Sequence, residues 1–575
     1  MDNCGMTPGA VPDKGEINIK TVTGKLRAIW ESQPERTAMV FYDDDAERLS
    51  LTHGEVQTLS MKCASLLCYH GVKKGDVVCN TLYNSMEREI VNFGILLAGA
   101  VVMHGDVIDD KGRHFWAPLV QAGVKFVVLE PDLHTPAWKM FKLDVGQSDA
   151  DIEKCTRNVD APDIQKVFKF RQEHRIKKSD RSKVKSGFDI IREHQGSLFE
   201  RVSSHDPAAI CVDKCAVQKH YKMVLRTHGE MCHISSRIDD MLHCTADDVI
   251  YCDFPLSWLP GLPYCHMSSG CTMVKSTLLD CPPRKVVAET WSLIETEKCT
   301  MAALQPPMIQ MLSSHCEDMA EPHWTLRLLS TSGWVRQSVM DAIGPCTQSI
   351  VICYSRIETG LIARLPVNTQ TASVYSEGCM GDLSNPVRTR LDQSGQSNET
   401  VKATPVGEIL LDGLLVAKEY LNDPNLTKSS YTEDGFLLTG DIGFYDENKQ
   451  LFVLGRKVDA IIRGNVPIFP REIEEKVNQC PGIWKVKVVS LKDDKGIIQM
   501  CACVIPRNDD AITIDRVKEF CRYQLGGTFD DDNNPHMPTY IFFFDSFPTV
   551  HGRVNRRMLA YMASEILQGN TRLQS

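Results

Sequence analysis

Residues 416–477 read VAKEYLNDPNLTKSSYTEDGFLLTGDIGFYDENKQLFVLGRKVDAIIRGNVPIFPREIEEKV, and this stretch decides the fold. Five short segments follow one another in it: YLNDP with a later threonine, DGFLLTGD, a strand hairpin, GRKVD and PREIE. Pro470 stands where a helix begins, acidic residues follow it in the first turn, and Ile473 and Val477 lie one turn apart. The stretch therefore predicts a hairpin and, after it, an amphipathic helix.

The chain after Gly455 is predicted to form a separate small α+β domain. Strand patterns in WKVKVVSL, IIQMCACVIP and TYIFFFD alternate with helix patterns in PREIEEKV and TIDRVKEFCRYQL. Near its end, FPTVHGRVNRRML predicts a turn at His551-Gly552 that holds Arg553 on a tight loop, and a helix from Arg556 to Leu567. A length of about 120 residues suits such a domain.

The residues before this domain are predicted to form a large α/β domain. An amphipathic helix pattern in LTHGEVQTLSMKCASLLCYHGVKKGD precedes the strand pattern VVCNTL. The longest apolar run, Ile90 to Met103, is too short to span a bilayer and predicts a buried helix that runs into a strand. The sequence thus predicts an α/β fold with a large N-terminal domain at residues 1–455 and an α+β domain at 456–575.

Composition and net charge make some kinds of binding partner unfavourable. The chain has 575 residues, of which 43% are hydrophobic and 24% charged, as is usual for a folded protein of several domains. A net charge of −10 does not favour nucleic acid or anionic membranes. The N-terminal residues resemble neither a secretory signal nor an organelle presequence, which predicts a cytoplasmic location. The basic segment from Arg171 to Lys185 is interpreted as a solvated connector, with a polyanion-binding patch as the alternative.

The 22 cysteines are mostly single, and we interpret them as reduced thiols that fill gaps in the core. One group has the residue types of a zinc site, although its spacing matches no common zinc module. Its members are Cys211, Cys215, His220, His228 and Cys232.

The order and spacing of the segments in residues 416–477 resemble the adenylate-forming superfamily, which holds acyl-CoA synthetases, firefly-luciferase-like enzymes and adenylation domains of peptide synthetases. The chain looks most like the medium-chain acyl-CoA synthetases. Weaker counterparts follow in order over nearly the whole chain, among them GVKKGD, LAGAVV, DPAAI, QPPMIQML, YSRIETG and DSFPTVHGRVNRRML. The resemblance implies a large, multi-layered N-terminal adenylation domain of sheets and helices, a small C-terminal domain that rotates on a hinge, and an active site between them.

The resemblance also implies a two-step reaction. A carboxylic acid, fatty or similarly apolar, attacks the α-phosphorus of Mg-ATP to give acyl-AMP and pyrophosphate, and the thiol of coenzyme A then takes the acyl group. ATP, Mg²⁺ and coenzyme A are the implied cofactors and co-substrates, and a small carboxylic acid is the implied partner. No oligomeric state is implied.

Residue by residue, the resemblance implies a nucleotide site. Asp441 in TGD and Arg456 in GRKVD match the two contacts to the ATP ribose. Glu358 in YSRIETG matches the acid that binds Mg²⁺, and Tyr354 in the same motif would flank adenine. Gly333 in STSGWVRQ remains from the glycine-rich turn on the nucleotide side.

The phosphate-binding motifs depart from the family pattern. Where the family has a loop rich in Ser, Thr and Gly, residues 215–222 read CAVQKHYK, and only Lys222 survives at the lysine position before Thr227. Lys219, His220 and Lys222 offer charge in place of the lost donors, or the segment is an ordinary surface loop. Ile357 stands where the family has a threonine that hydrogen-bonds the α-phosphate.

Three further positions follow from the resemblance. His228 and Trp258 belong to the implied acyl pocket, and Trp258 stands where related synthetases often have histidine. Val458 occupies the hinge position, which is usually Asp or Lys. Arg553 stands at the family's C-terminal catalytic lysine, and its planar fork does not substitute for a point-like ammonium.

Three hypotheses follow. The chain is an active acid–thiol ligase, supported by Asp441, Arg456, Glu358 and Lys222. Alternatively it is a weak or inactive relative that binds nucleotide or acyl ligand as a regulatory module, because its phosphate loop and Arg553 are altered. A third alternative is an adenylating enzyme with an acceptor other than coenzyme A.

Overall fold

The structure is a computed structural model and describes most of the chain. Trp258, the segment Cys215 to His220, the turn His551-Gly552 and most of the basic segment lie outside the described residues. The described residues are 20–43, 46–105, 116–131, 164–172, 185–214, 221–254, 264–276, 283–318, 323–369, 376–384, 387–392, 406–463, 466–492, 496–507, 512–526, 534–550 and 553–569.

The chain divides into two compact units. The first unit comprises residues 1–214, 220–377 and 414–429, and the second comprises residues 215–219, 378–413 and 430–575. The boundary expected between residues 455 and 456 stays a prediction, as does the mobility of the small domain.

The first unit contains a six-stranded sheet in the order β6-β5-β3-β4-β7-β8. All neighbours in it are parallel except β7 and β8. Parallel pairing requires helical crossovers, and it buries the strands on both faces, as their apolar composition predicts. The strands are β3 Val77–Asn80, β4 Val101–His104, β5 Val124–Leu129, β6 Lys166–Lys169, β7 Pro207–Lys214 and β8 Tyr221–Thr227.

Eight strands of a second sheet follow in the order β14-β13-β12-β11-β9-β10-β1-β2. The six in the middle, from β13 to β1, are parallel, and β2 and β14 pair antiparallel. The strands are β1 Thr37–Tyr42, β2 Arg48–Thr52, β9 Val249–Cys252, β10 Thr272–Ser276, β11 Met301–Ala303, β12 Leu328–Ser332, β13 Ser349–Arg356 and β14 Gly360–Asn368.

Helices connect these strands, and the two longest early ones pack closely together. A Cβ at Gly94 would lie 2.6 Å from Cys63 Sγ, so the approach of α2 to α3 requires glycine. Thr52 and Glu55 form a capping box that starts α2. The helices are α1 Val22–Ser32, α2 His53–Tyr69, α3 Met86–Leu97, α4 Trp116–Ala122, α5 Gly187–Glu193, α6 His228–Leu242, α7 Tyr264–Ser269, α8 Pro283–Thr296, α9 Pro306–Asp318, α10 Gln337–Ile343 and α11 Pro424–Ser430.

The second unit has strands in the order β16-β17-β18-β19-β15, a three-stranded sheet β22-β23-β24 and two hairpins. Two helices, α12 and α13, pack on each other, and α12 and α14 pack on β22. The strands are β15 Cys379–Leu383, β16 Val387–Asp392, β17 Val406–Gly413, β18 Leu437–Tyr445, β19 Leu451–Arg456, β20 Ile461–Arg463, β21 Val466–Ile468, β22 Ile483–Lys492, β23 Ile498–Pro506, β24 Tyr540–Phe543, β25 Thr549–Val550 and β26 Arg553–Val554, and the helices are α12 Pro470–Val477, α13 Ile514–Leu525 and α14 Arg556–Leu567.

A buried ion cluster joins three elements of the second unit. Glu474 on α12 is 4% exposed, and its two carboxylate oxygens lie 2.5 and 3.0 Å from the guanidinium of Arg556 at the start of α14. Lys487 on β22 donates to the same carboxylate at 2.6 Å, and so does the backbone N–H of Val488 at 2.7 Å. Burial raises the pKa of Glu474, but Arg556 and Lys487 outweigh it and hold that pKa below its ordinary value.

The predicted α/β fold class, with its large part and its small α+β part, is confirmed. The apolar run Ile90 to Met103 spans the end of α3 and most of β4, and the helix predicted from Arg556 to Leu567 is α14. None of the described helices has the length and apolar character that a bilayer crossing requires. Arg553 begins the short strand β26 and pairs with Val550 across residues 551 and 552, so the tight loop expected there stays a prediction.

Candidate functional site

Glu358 lies in the turn between β13 and β14, in the first unit. Gly360 ends this turn with a φ of +72°, and a Cβ there would lie 3.2 Å from Ile234 Cγ1. Glycine is therefore favoured both by the backbone conformation and by the neighbouring helix α6. The turn places the carboxylate of Glu358 inside the protein, where it is 2% exposed.

Three side chains surround the carboxylate of Glu358. Its Oε1 accepts from the hydroxyl of Tyr420 at 2.6 Å and from Arg356 at 3.1 Å, and it lies 3.9 Å from Lys222 Nζ. The ammonium of Lys222 also lies 5.3 Å from the centre of the Tyr420 ring, a cation–π distance. Burial raises the pKa of Glu358, but Arg356, Lys222 and Tyr420 outweigh it and lower that pKa to about 2.

Arg226 holds the backbone of the two segments that carry Glu358 and Tyr420. Its guanidinium donates to the carbonyl oxygen of Ile357 at 2.6 Å and to that of Leu415 at 2.9 Å, and it pairs with Glu230 at 3.3 Å. The side chain is fully buried. Sequence analysis missed Arg226, Arg356 and Tyr420. The signals were Arg226 in the apolar strand pattern YKMVLRT and the single cation of YSRIETG, Arg356.

Thr227 ends β8, the strand that carries Lys222, and His228 begins α6. The hydroxyl of Thr227 accepts from the backbone N–H of Glu230, and Glu230 accepts from the N–H of Thr227, so the hydroxyl caps the helix. His228 is fully buried, and burial lowers its pKa to about 4. Neither ring nitrogen of His228 has a hydrogen-bond partner within the described part of the chain. Its imidazole is therefore neutral at pH 7.

Gly333 and Tyr354 lie on neighbouring strands. Gly333 follows β12 with a φ of +77°, and its N–H donates to the carbonyl of Cys353 on β13 at 3.0 Å. Tyr354 follows Cys353 and is 9% exposed. Apart from its two chain neighbours, no heavy atom of the described residues lies within 4 Å of the place where a Cβ of Gly333 would be. The structure thus brings Gly333 to the strand that carries Tyr354 and leads to Glu358.

Asp441 and Arg456 lie directly opposite each other on β18 and β19 in the second unit. Asp441 Oδ1 is 3.0 Å from Arg456 Nε; the aspartate side chain is 7% exposed and the arginine side chain 45%. Arg456 also donates to the carbonyl of Thr439 at 3.3 Å. The pair combines a fixed carboxylate with a guanidinium that reaches solvent, and this arrangement suits a ligand that carries both hydroxyl donors and an anion.

The remaining positions of the second unit are described in part. Val458 lies in a short turn after β19 and is 73% exposed. The backbone of Arg553 is held by its pairing with Val550, and the N–H of Asn555 donates to the carbonyl of Pro548 at 2.8 Å. The side chain of Arg553 lies outside the described part of the structure.

The model of the AMP-binding enzyme family matches residues 26–421. The chain belongs to this family. A putative acyl-CoA synthetase, YngI, of Bacillus subtilis (strain 168) is 26% identical over 352 residues, which cover 59% of this chain and 60% of that relative. The mitochondrial medium-chain acyl-CoA ligase ACSF2 of Bos taurus is 27% identical over 561 residues, which cover 94% of this chain and 87% of that relative. The predicted resemblance is therefore confirmed, although the match spans less than two thirds of the Bacillus relative.

Solved structures of AMP-binding enzymes share the fold. ATP-bound MatB from Rhodopseudomonas palustris matches with a TM-score of 0.74 at 19% identity, over 95% of this chain and all of that chain. The o-succinylbenzoate coenzyme A synthetase MenE of Bacillus subtilis, in complex with ATP and magnesium ion, matches with a TM-score of 0.72 at 19% identity, over 93% of this chain and 98% of that chain. These likenesses show an adenylate-forming fold over most of the chain.

Glu358 stays a predicted ligand of the Mg²⁺ expected of the family. Mg²⁺ needs oxygen ligands at about 2.0–2.1 Å in octahedral geometry, and waters and substrate phosphates often fill all but one or two positions. Here Oε1 accepts from Arg356 and Tyr420 and lies 3.9 Å from Lys222, so the carboxylate would bind the ion through Oε2. The described residues also hold no group of three His, Cys, Asp or Glu side chains suited to a metal, and two of the weighed zinc-type residues, Cys215 and His220, lie outside them.

Proposed function

We propose that this chain is an ATP-dependent, AMP-forming acyl-CoA ligase that activates an apolar, fatty-type carboxylic acid. Its family and the names of its relatives support this function. The observation that carries it is the Asp441–Arg456 pair, a nearly buried carboxylate held 3.0 Å from an accessible guanidinium. A carboxylate of this kind accepts the two hydroxyls of a ribose, and the guanidinium fork donates to a hydroxyl or a phosphate.

In the first proposed step, the acid's carboxylate oxygen attacks the α-phosphorus of ATP, and the bond to pyrophosphate breaks. Tyr354 flanks adenine beside Gly333, Lys222 supplies positive charge to the phosphates, and Arg553 approaches the α-phosphate from the small domain at residues 456–575. In the second step the thiol of coenzyme A attacks the acyl carbonyl and AMP leaves. Mg²⁺ enters with ATP as part of the substrate, and Glu358 would hold it through its second carboxylate oxygen.

The acyl pocket is proposed to include His228 and Trp258, and Val458 is proposed as the hinge. A neutral, fully buried imidazole at His228 suits an apolar pocket better than a charged one. The cytoplasmic location stays a prediction, and the bovine relative is named mitochondrial.

Replacing Asp441 with alanine is expected to weaken ATP binding by about 10- to 100-fold. The loss corresponds to one or two charge-assisted hydrogen bonds of about 1.5–3 kcal/mol. Titration calorimetry with ATP measures it, and Asp446→Ala in the adjoining β18–β19 turn is the matched control. Equal affinities in wild type and Asp441→Ala would contradict the ribose-binding role.

Pyrophosphate release over a panel of carboxylic acids, with and without coenzyme A, tests the ligase function itself. Release that depends on the acid is expected, together with an acyl-CoA product when coenzyme A is present. ATP binding that is retained without any acid-dependent release of pyrophosphate would contradict the ligase function.

Replacing Arg553 with lysine is expected to raise the rate of acid-dependent pyrophosphate release by about tenfold or more. A point-like ammonium fits a crowded phosphate centre better than a planar fork, and one preorganised donor is worth about 10²–10³ in rate. Arg557→Lys, on the exposed part of α14, controls for the chemical change alone. An unchanged rate in Arg553→Lys would place this residue outside the chemistry.

The second candidate function is a nucleotide-binding module without adenylation. It is favoured by Ile357, whose side chain cannot donate to a phosphate and whose carbonyl is occupied by Arg226. It predicts ATP binding that Asp441→Ala weakens, with no pyrophosphate release under any condition.

A further inference from the structure

Asp441 lies in an irregular part of β18. Between two paired positions β17 has one residue, Ile409, whereas β18 has three, residues 439–441. Gly440, in the middle of these three, has a φ of +70°. An irregularity of this kind changes the direction of a side chain and takes backbone N–H groups out of the regular ladder. Those N–H groups therefore need other acceptors.

Two side chains supply these acceptors. The hydroxyl of Thr439 accepts from the N–H of Asp441 at 3.0 Å and donates to the carbonyl of Ile409 at 2.7 Å. Glu408 on β17 accepts from the N–H of Gly440 at 2.9 Å through its Oε1. Thr439, Glu408 and Asp441 are all buried, so water does not readily replace either acceptor.

The second oxygen of Glu408 contacts the other ribose motif. Its Oε2 accepts from Lys457 Nζ at 2.7 Å, and the lysine side chain is 58% exposed. Lys457 directly follows Arg456, the partner of Asp441. Asp392 stands directly opposite Glu408 on β16, an unfavourable placement for two like charges, and Lys457 offsets part of that cost. Glu408 thus holds the residue before Asp441 and the residue after Arg456.

We propose that Glu408 is a positioning residue that gives the nucleotide site its requirement for ribose hydroxyls. It acts through the backbone, because its Oε1 holds Gly440 at the positive φ that places the carboxylate of Asp441 beside Arg456. The inference rests on the proposed function, in which Asp441 accepts the two hydroxyls. The contact with Lys457 matters less, since that lysine is more than half exposed and can turn to solvent.

Two conservative variants separate the reach of this side chain from its charge. Glu408→Asp keeps the charge for Lys457, but its shorter side chain withdraws the acceptor from the N–H of Gly440. Glu408→Gln keeps an acceptor at the same reach and loses the charge. Calorimetric titration of the full chain with ATP and with 2′,3′-dideoxy-ATP gives the ratio of the two affinities, which a lower fraction of folded protein does not change. Asp434→Ala, which breaks a half-exposed pair with Arg390, is the matched control.

Wild type, Glu408→Gln and Asp434→Ala are expected to prefer ATP over the dideoxy analogue by about tenfold or more, as the loss of charge-assisted hydrogen bonds implies. In Glu408→Asp this preference is expected to fall by about fivefold or more.

The outcomes distinguish the inference from the proposed function. A wild-type preference in Glu408→Asp, or an equal loss of preference in Glu408→Gln, overturns the inference and leaves the proposed function intact. Wild type that binds both nucleotides equally, or neither, overturns the ribose-binding role of Asp441 and the inference with it. Where Glu408→Asp does not fold, the preference of Glu408→Gln decides, because its loss would exclude the contact with Gly440 as the cause.

Discussion

Replacing Glu474 with alanine is expected to lower the free energy of unfolding of the second unit by about 3–5 kcal/mol. The variant leaves Lys487 buried without its carboxylate partner and Arg556 with the more distant carboxylate of Asp459, at 3.9 Å, and it removes the acceptor of the Val488 N–H. Because the cluster joins α12, β22 and α14, its loss loosens three elements together. Urea unfolding of the full chain measures the change, and hydrogen exchange at Val488 locates it.

The same helix offers a matched control. Glu472 pairs with Lys476 at 4.0 Å one turn away, and both side chains are about half exposed. Glu472→Ala is expected to change the free energy of unfolding by less than about 0.5 kcal/mol and to leave Val488 protected. If Glu474→Ala and wild type unfold with the same urea midpoint, the cluster adds nothing to stability. If it does destabilise, the helix that begins three residues after Arg553 loses its anchor, and adenylation should fall with it.

Replacing Asp253 with asparagine is expected to stabilise the first unit by about 4 kcal/mol at pH 7. Asp253 is 1% exposed; one carboxyl oxygen accepts from the N–H of Gln305 at 2.7 Å, and the other has no partner within the described residues. Burial raises its pKa to about 7. Asparagine keeps the acceptor for Gln305 and carries no charge to bury, so the cost of a buried carboxylate disappears.

The direction in which stability changes with pH follows from the protonation of Asp253. The folded chain retains the proton of Asp253 up to a pKa of about 7, whereas the unfolded chain releases it above about pH 4. Wild type therefore loses stability as the pH rises from about 4 to about 7, and Asp253→Asn does not. Each unit by which the pKa of Asp253 in the folded chain exceeds that in the unfolded chain corresponds to about 1.4 kcal/mol. Asp253→Asn is therefore expected to gain stability over wild type at pH 7 and to gain none below about pH 4.

Asp248 at the other end of β9 is an internal contrast. Its carboxylate accepts from Thr300 at 2.6 Å, from Thr245 N–H at 2.8 Å and from Arg327 at 3.0 Å. Although burial raises the pKa of Asp248, these partners outweigh it and lower that pKa. Asp248→Asn is therefore expected to destabilise the chain at pH 7, opposite to Asp253→Asn. A pH-independent gain, or a loss, in Asp253→Asn would contradict the explanation.

The helices and strands that depend on apolar periodicity within a short stretch were predicted from the sequence. The helix from Arg556 to Leu567 and the strand pattern of β22 follow from apolar periodicity, and the facing of Asp441 and Arg456 is consistent with motifs that are close in sequence. The contacts around Glu358 did not follow, because Arg226 is 131 residues from Ile357, whose carbonyl it holds, and Tyr420 is 62 residues from Glu358. A single sequence does not show which distant strand ends at the same turn. Arg356 was within reach, since it stands two residues before Glu358 in the same motif.

The pairing of β18 with β19 contains one irregularity between Ile442 and Gly443. Nearer the turn, Phe444 pairs with Phe452, and this register continued would set Asp441 opposite Gly455. Leu454 is the extra residue, and its bulge advances β19 by one position so that Arg456 faces Asp441 instead. Deleting Leu454 would therefore remove the bulge and still leave Arg456 opposite Asp441, because Gly455 would follow Val453 in a regular ladder. In a search for functional relatives of this chain, a separation of the two motifs that is one residue shorter is then compatible with the same pair.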